Sequence, residues 1–142
     1  MPRTEQDFDR IRGWGADLVF SLVAEDESAR AGMADLVGAF SRAGVDCVRA
    51  PIEDYSSPDS EFETAWKTQR RQALDILERG GKILVHCRGG QGRSGTIAAA
   101  LLIAGGVAPA DAIALVRQSR PAAIETEGQE VWLHTRSIDR PD

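Results

Sequence analysis

Cysteine is scarce in this chain of 142 residues: there are two, Cys47 and Cys87. Two cysteines make no disulfide framework, and no Cys/His cluster has zinc-site spacing, so any cysteine chemistry here is thiol chemistry. Long apolar runs are also missing, and nothing approaches the roughly 20 residues of a membrane-spanning helix. The opening MPRTEQDFDR has no apolar stretch, so no secretory signal is read and the cytoplasm is the expected compartment. Positive charge is in deficit, with 17 Lys and Arg against 22 Asp and Glu. That leaves no basic footprint for nucleic acid or for an anionic membrane. Repeats, low-complexity tracts and linkers are absent as well. What is present is a chain that is 42% hydrophobic and 27% charged. This balance argues against disorder, and the length predicts one domain, residues 1–142, with a buried core.

The apolar pattern alternates between strand and helix. Thr4 is placed to cap a helix over 5–13, with Glu5 and Asp7 in its first turn. DLVFSLV, 17–23, reads as a buried strand. A helix is predicted over 28–43, with Met33, Leu36, Val37 and Phe40 at helical spacing and Gly44 as its stop. VDCVR, 45–49, reads as a second strand with Val45, Cys47 and Arg49 on one face. PIEDYSSPDSE, 51–61, is a loop by its prolines and serines, and an amphipathic helix follows to about residue 79. KILVH, 82–86, is a third buried strand. Helices are predicted over 94–105, from Pro109 to about Ser119, and from about Thr126 to Ser137. Strands separated by helices imply parallel crossovers: an α/β fold in three layers, a mostly parallel central sheet flanked by helices. Ligands in such folds bind beyond the carboxyl ends of the strands, here in the segment after KILVH.

That segment is HCRGGQGRSGT, 86–96. A glycine-dense turn between strand and helix aims several backbone N–H groups at one point, and the helix start adds its dipole. Gly90, Gly92 and Gly95 fit the spacing of a dinucleotide fingerprint. The second parallel strand and its acidic residue do not follow, and a Walker loop fails because Arg93, not lysine, precedes Ser94. A different pairing uses what those motifs ignore. Cys87 opens the loop and Arg93 closes it, so a curled loop brings both to one anion. Nearby N–H groups, a helix N-terminus and a guanidinium each favour thiolate over thiol. A nucleophile beneath a tetrahedral anion, with a two-pronged donor beside it, suits phosphoryl transfer to sulfur.

HCRGGQGRSG resembles the signature loop of cysteine-dependent protein tyrosine and dual-specificity phosphatases. PIEDYSSPD, 51–59, resembles their general-acid loop, with Asp54 four residues before Pro58. SRPAAIETEGQE, 119–130, is similar to a segment of the cyclin-dependent-kinase-associated phosphatase subgroup and its bacterial relatives. The resemblance runs from about Trp14 to Trp132 and implies a small version of the dual-specificity phosphatase fold; the additional N-terminal strands common in that family are not evident in this sequence. It implies Cys87 as nucleophile, Arg93 as phosphate clamp and Asp54 as general acid, with Glu53 and Asp59 as solvated alternatives. Ser94 helps the thiolate leave, His86 orders the loop, and Gln129 positions the hydrolytic water. The substrate phosphate lies against the loop of Arg88, Gly89, Gly90, Gln91, Gly92 and Arg93.

The expected activity is hydrolysis of phosphotyrosine or phosphoserine/threonine in proteins through a cysteinyl-phosphate, with no metal or organic cofactor. Alternatives are a phosphatase of phosphoinositides or small metabolites, a phosphate-binding pseudo-enzyme, and a sulfurtransferase. Elsewhere, Cys47 is a packing residue with a lesser possibility of a redox role. Trp14, Trp66 and Trp132 are core or groove walls, Arg70 and Arg71 a solvated helix face, and His134 a helix-surface residue.

Overall fold

The structure is a computed structural model that describes residues 1–89 and 92–141. The sheet has three strands, β1 (Leu18–Ser21), β2 (Cys47–Arg49) and β3 (Ile83–His86), in the order β2-β1-β3 and all parallel. The central β1 is buried along its whole length, as a parallel strand covered on both faces must be. Its side chains alternate. Leu18, Phe20 and Leu22 enter a core shared with helices α4 (Ser60–Glu78), α5 (Gly92–Ala104), α6 (Pro109–Ser119) and α7 (Glu127–Thr135). Val19 and Val23 enter a second cluster with Phe8 of α1 (Glu5–Trp14) and with Leu36 and Phe40. Three layers result. Among the described residues no strand precedes β1.

Helix ends follow the side-chain chemistry. Thr4 caps α1 in a capping box closed by Asp7, and Pro109 opens α6. The helix expected over 28–43 is two helices, α2 (Glu25–Arg30) and α3 (Leu36–Arg42). Gly32, at φ 90°, lies in the break, and the Asp35 carboxylate restarts the helix by accepting from Gly38 N at 3.2 Å. The last helix is shorter than expected and passes into a 3-10 turn, Arg136–Asp139. Helix α5 starts two residues earlier than expected, which places Arg93 and Ser94 in its first turn.

Two surface expectations are corrected. Trp14 is 49% exposed, with the Lys82 ammonium 5.3 Å over its ring, and walls no core. Arg70 is not merely solvated: it pairs with Asp139, which also accepts from the indole of buried Trp66 at 3.3 Å. Trp132 is buried and His134 exposed, as expected.

Candidate active site

Strand β3 ends at His86 and delivers Cys87 to the carboxyl edge of the sheet, buried at 3% exposure. Its Sγ lies 3.5 Å from Ser94 Oγ. His86 faces Cys87 O through Nδ1 at 3.2 Å, which assigns the proton to Nδ1, and this bond ties strand end to loop. Burial pushes the His86 pKa down to about 4, so the ring is neutral at pH 7. Gly90 and Gln91 lie outside the described residues. Arg88 and Gly89 are exposed, and Gly92 opens α5. Gly95 is obligatory for packing, because a Cβ there would lie 2.8 Å from Ala123 Cβ.

Arg93 is 2% exposed and its donors are divided between two edges. The end-on edge holds Glu27, Nη1 to Oε2 and Nη2 to Oε1, each at 2.8 Å. The other Nη1 proton goes to Ile52 O at 3.0 Å. The side-on edge, Nε–H with the second Nη2–H, remains on the Asp54 side, where Asp54 Oδ1 stands 3.5 Å from Nε. Bidentate recognition of an oxyanion uses such a pair of parallel donors. Burial works against the charge of Arg93, but the hydrogen bonds and charge of Glu27, with the charges of Asp54 and Cys87, together raise the pKa. Reciprocally, the Arg93 hydrogen bonds hold the Glu27 carboxyl below its ordinary range against a smaller burial effect.

Asp54 is exposed, on a turn where Tyr55 has φ 60° and donates its N–H to Asp54 Oδ1 at 3.0 Å. The structure thus brings Cys87, Ser94, Arg93 and Asp54 to one edge. The alternatives for the acid fare differently. Asp59 is exposed, as expected of a solvated charge, and is also the N-cap of α4, accepting from Phe62 N at 2.9 Å. Glu53 is exposed. Gln129 is 1% exposed, and its amide joins the start of α7 to the loop that holds Ser56. Oε1 accepts from Glu125 N and Thr126 N, and Nε2 donates to Ser56 O at 3.2 Å. Cys47 packs in the α1/α3 cluster while Cys87 belongs to the other, and burial pushes the Cys47 pKa up to about 11.

Sequence reasoning missed Glu27 and Glu125. Glu27 follows the carboxyl end of β1, and that topological position was its one signal. Glu125 lies inside the RPAAIE segment and accepts from Gly92 N at 2.8 Å. Among the described residues no group of acidic, His or Cys side chains is arranged to hold a metal ion, and no helix is long and apolar enough to cross a membrane.

A short parallel sheet whose edge strand runs into a loop opened by cysteine and closed by a buried arginine defines a small phosphatase-type α/β fold. The family described as "PTP-SAK: Swiss Army Knife protein, DSP-PTPase phosphatase domain" matches residues 1–133, and the chain belongs to it. The proteins named cyclin-dependent kinase inhibitor 3 from Rattus norvegicus and Sus scrofa are 29% and 31% identical to it. Those matches take in 92% of this chain and 61% of each relative, so the chain spans less than two thirds of their length. The structure of Tk-PTP in the active form superposes with a TM-score of 0.80 at 30% identity, over 97% of this chain and 88% of that one. Kinase-associated phosphatase with its catalytic-site cysteine changed to serine gives a TM-score of 0.84 at 26% identity, over 98% and 79%. PTPMT1 in complex with PI(5)P shares the fold, with a TM-score of 0.78 at 20% identity, over 96% and 86%.

Proposed function

We propose that residues 1–142 form a single phosphatase domain that hydrolyses phosphotyrosine and/or phosphoserine/threonine in proteins. The observation that carries this reading is the division of Arg93: Glu27 and Ile52 hold one side of a buried guanidinium, leaving a parallel pair of donors on the Asp54 side, at the sheet edge to which β3 delivers Cys87. In the first step the Cys87 thiolate attacks phosphorus while Arg93 gathers two equatorial oxygens. The S–P bond forms, the P–O bond to the leaving group breaks, and Asp54 protonates the departing oxygen. Entry of the phosphoryl group takes Nε from Asp54 and frees that carboxyl for the leaving group. In the second step water attacks the cysteinyl-phosphate, with Asp54 taking its proton. Ser94 then donates to the sulfur as the S–P bond breaks. A water-ordering role for Gln129 requires Nε2 to exchange Ser56 O for that water. The catalytic-site cysteine of kinase-associated phosphatase supports Cys87 as the reacting thiol, and that protein's association with a kinase favours a protein substrate.

Turnover of an aryl phosphate, followed by a panel of phosphopeptides, a phosphoinositide and small phosphorylated metabolites, tests the proposal. Hydrolysis by wild type with loss of all but a few per cent in Cys87→Ser is expected. Wild-type binding of phosphate without turnover would make this a pseudo-enzyme, and preference for the lipid or metabolite would refute the protein substrate.

A further inference from the structure

The first N–H of α5 is already occupied by an anion from this chain. Gly92 N donates to Glu125 Oε1 at 2.8 Å, although Glu125 is an exposed residue with solvent available to it. The backbone that delivers this carboxylate is strained and clamped. Ile124 has φ 60°, a region that a β-branched residue adopts only when its surroundings impose it, and it is nonetheless buried. Arg117 imposes it by donating to Ala123 O at 3.2 Å and Ile124 O at 3.0 Å. Glu125 N is held by Gln129 Oε1 at 2.9 Å. Gly92 supplies the room, since a Cβ there would lie 2.4 Å from Glu125 Oε1.

We propose that Glu125 is a positioning residue that sets the oxyanion affinity of the catalytic loop. Its carboxylate is the resident partner of the Gly92 N–H and gives that donor up when a phosphoryl group enters. The inference rests on the phosphatase reading of the Cys87 loop. Two anions at one N–H repel each other, so binding of substrate or product is weakened by the displacement of Glu125. Thr96 Oγ1 donates to Gly92 O at 2.7 Å and braces the helix start, so the exposed carboxylate is the part that moves.

The test measures calorimetric affinity for inorganic phosphate and tungstate, with KM and kcat for an aryl phosphate, in wild type, Glu125→Gln and Glu125→Ala. Removing a charge-assisted hydrogen bond that competes with the ligand should tighten both anions and lower KM, roughly three- to tenfold in Glu125→Ala. The gain should be smaller in Glu125→Gln, whose amide oxygen still accepts. A turnover number within about twofold of wild type is expected for both, given that only ground-state binding changes. Unchanged or weaker anion affinity in both variants would overturn the inference, as would a fall in kcat with affinity unmoved. Wild-type protein that binds neither anion would overturn the phosphatase reading and this inference with it.

Discussion

At the scale of single residues, the division of labour around Arg93 sets the expected effects of mutation. Arg93→Lys should be nearly as damaging to kcat/KM as Arg93→Ala, because a point ammonium can neither hold both Glu27 oxygens nor offer two coplanar donors. Recovery of most activity by lysine would refute bidentate recognition. Glu27→Gln removes the charge that fixes the guanidinium. A charge-assisted bond is worth about 1.5–3 kcal/mol, so the variant should lose roughly tenfold or more in kcat/KM. Unchanged kinetics would mean that Arg93 is held well enough by Ile52 O alone. Asp54→Asn keeps shape and removes the proton. It should cost roughly 10²–10⁴-fold on a phosphopeptide and much less on an activated aryl phosphate, whose leaving group needs no acid. Equal losses on both substrates would take the role from Asp54. The cysteine and arginine were legible in the sequence because seven adjacent residues encode the whole loop. Glu27 and Glu125 reach that loop from distant segments, at 66 and 33 residues' separation, and no local pattern announces them.

At the scale of elements, the strands and most helices could be read because their apolar periods and caps are local. The helix over 28–43 could not. Met33, Leu36, Val37 and Phe40 keep helical spacing across a break made by backbone chemistry at Gly32 and Asp35. Pairing of Arg70 with Asp139 was equally hidden, since it joins α4 to the final 3-10 turn. The start of α4 offers a control for the acid assignment. Asp59→Ala should lose about 1 kcal/mol of stability in a urea titration, the usual effect of removing an N-cap, and leave the rate on phosphopeptides unchanged. A large fall in rate with stability intact would return Asp59 to the list of acids.

At the scale of the whole molecule, buried His86 links folding to pH. Its folded pKa of about 4 lies below the ordinary value of 6.5, so the unfolded chain binds a proton that the folded chain refuses. Stability is therefore lost as pH falls through 6.5 and levels off near 4, by roughly 3 kcal/mol in all. Urea midpoints between pH 7 and 5 should fall in wild type and stay flatter in His86→Gln. Parallel slopes would assign the effect to other groups. Glu27 acts separately: its lowered pKa adds stability that is lost only below the ordinary carboxylate range.

The central claim is that Cys87 carries the phosphoryl group. Acid quenching during turnover of a phosphopeptide, followed by peptide mass spectrometry, tests it most directly. One added phosphoryl group is expected on the peptide containing Cys87, absent from Cys87→Ser and from the peptide containing Cys47. Turnover that leaves Cys87 unmodified at every quench time, or a phosphoryl group on another residue, would contradict it.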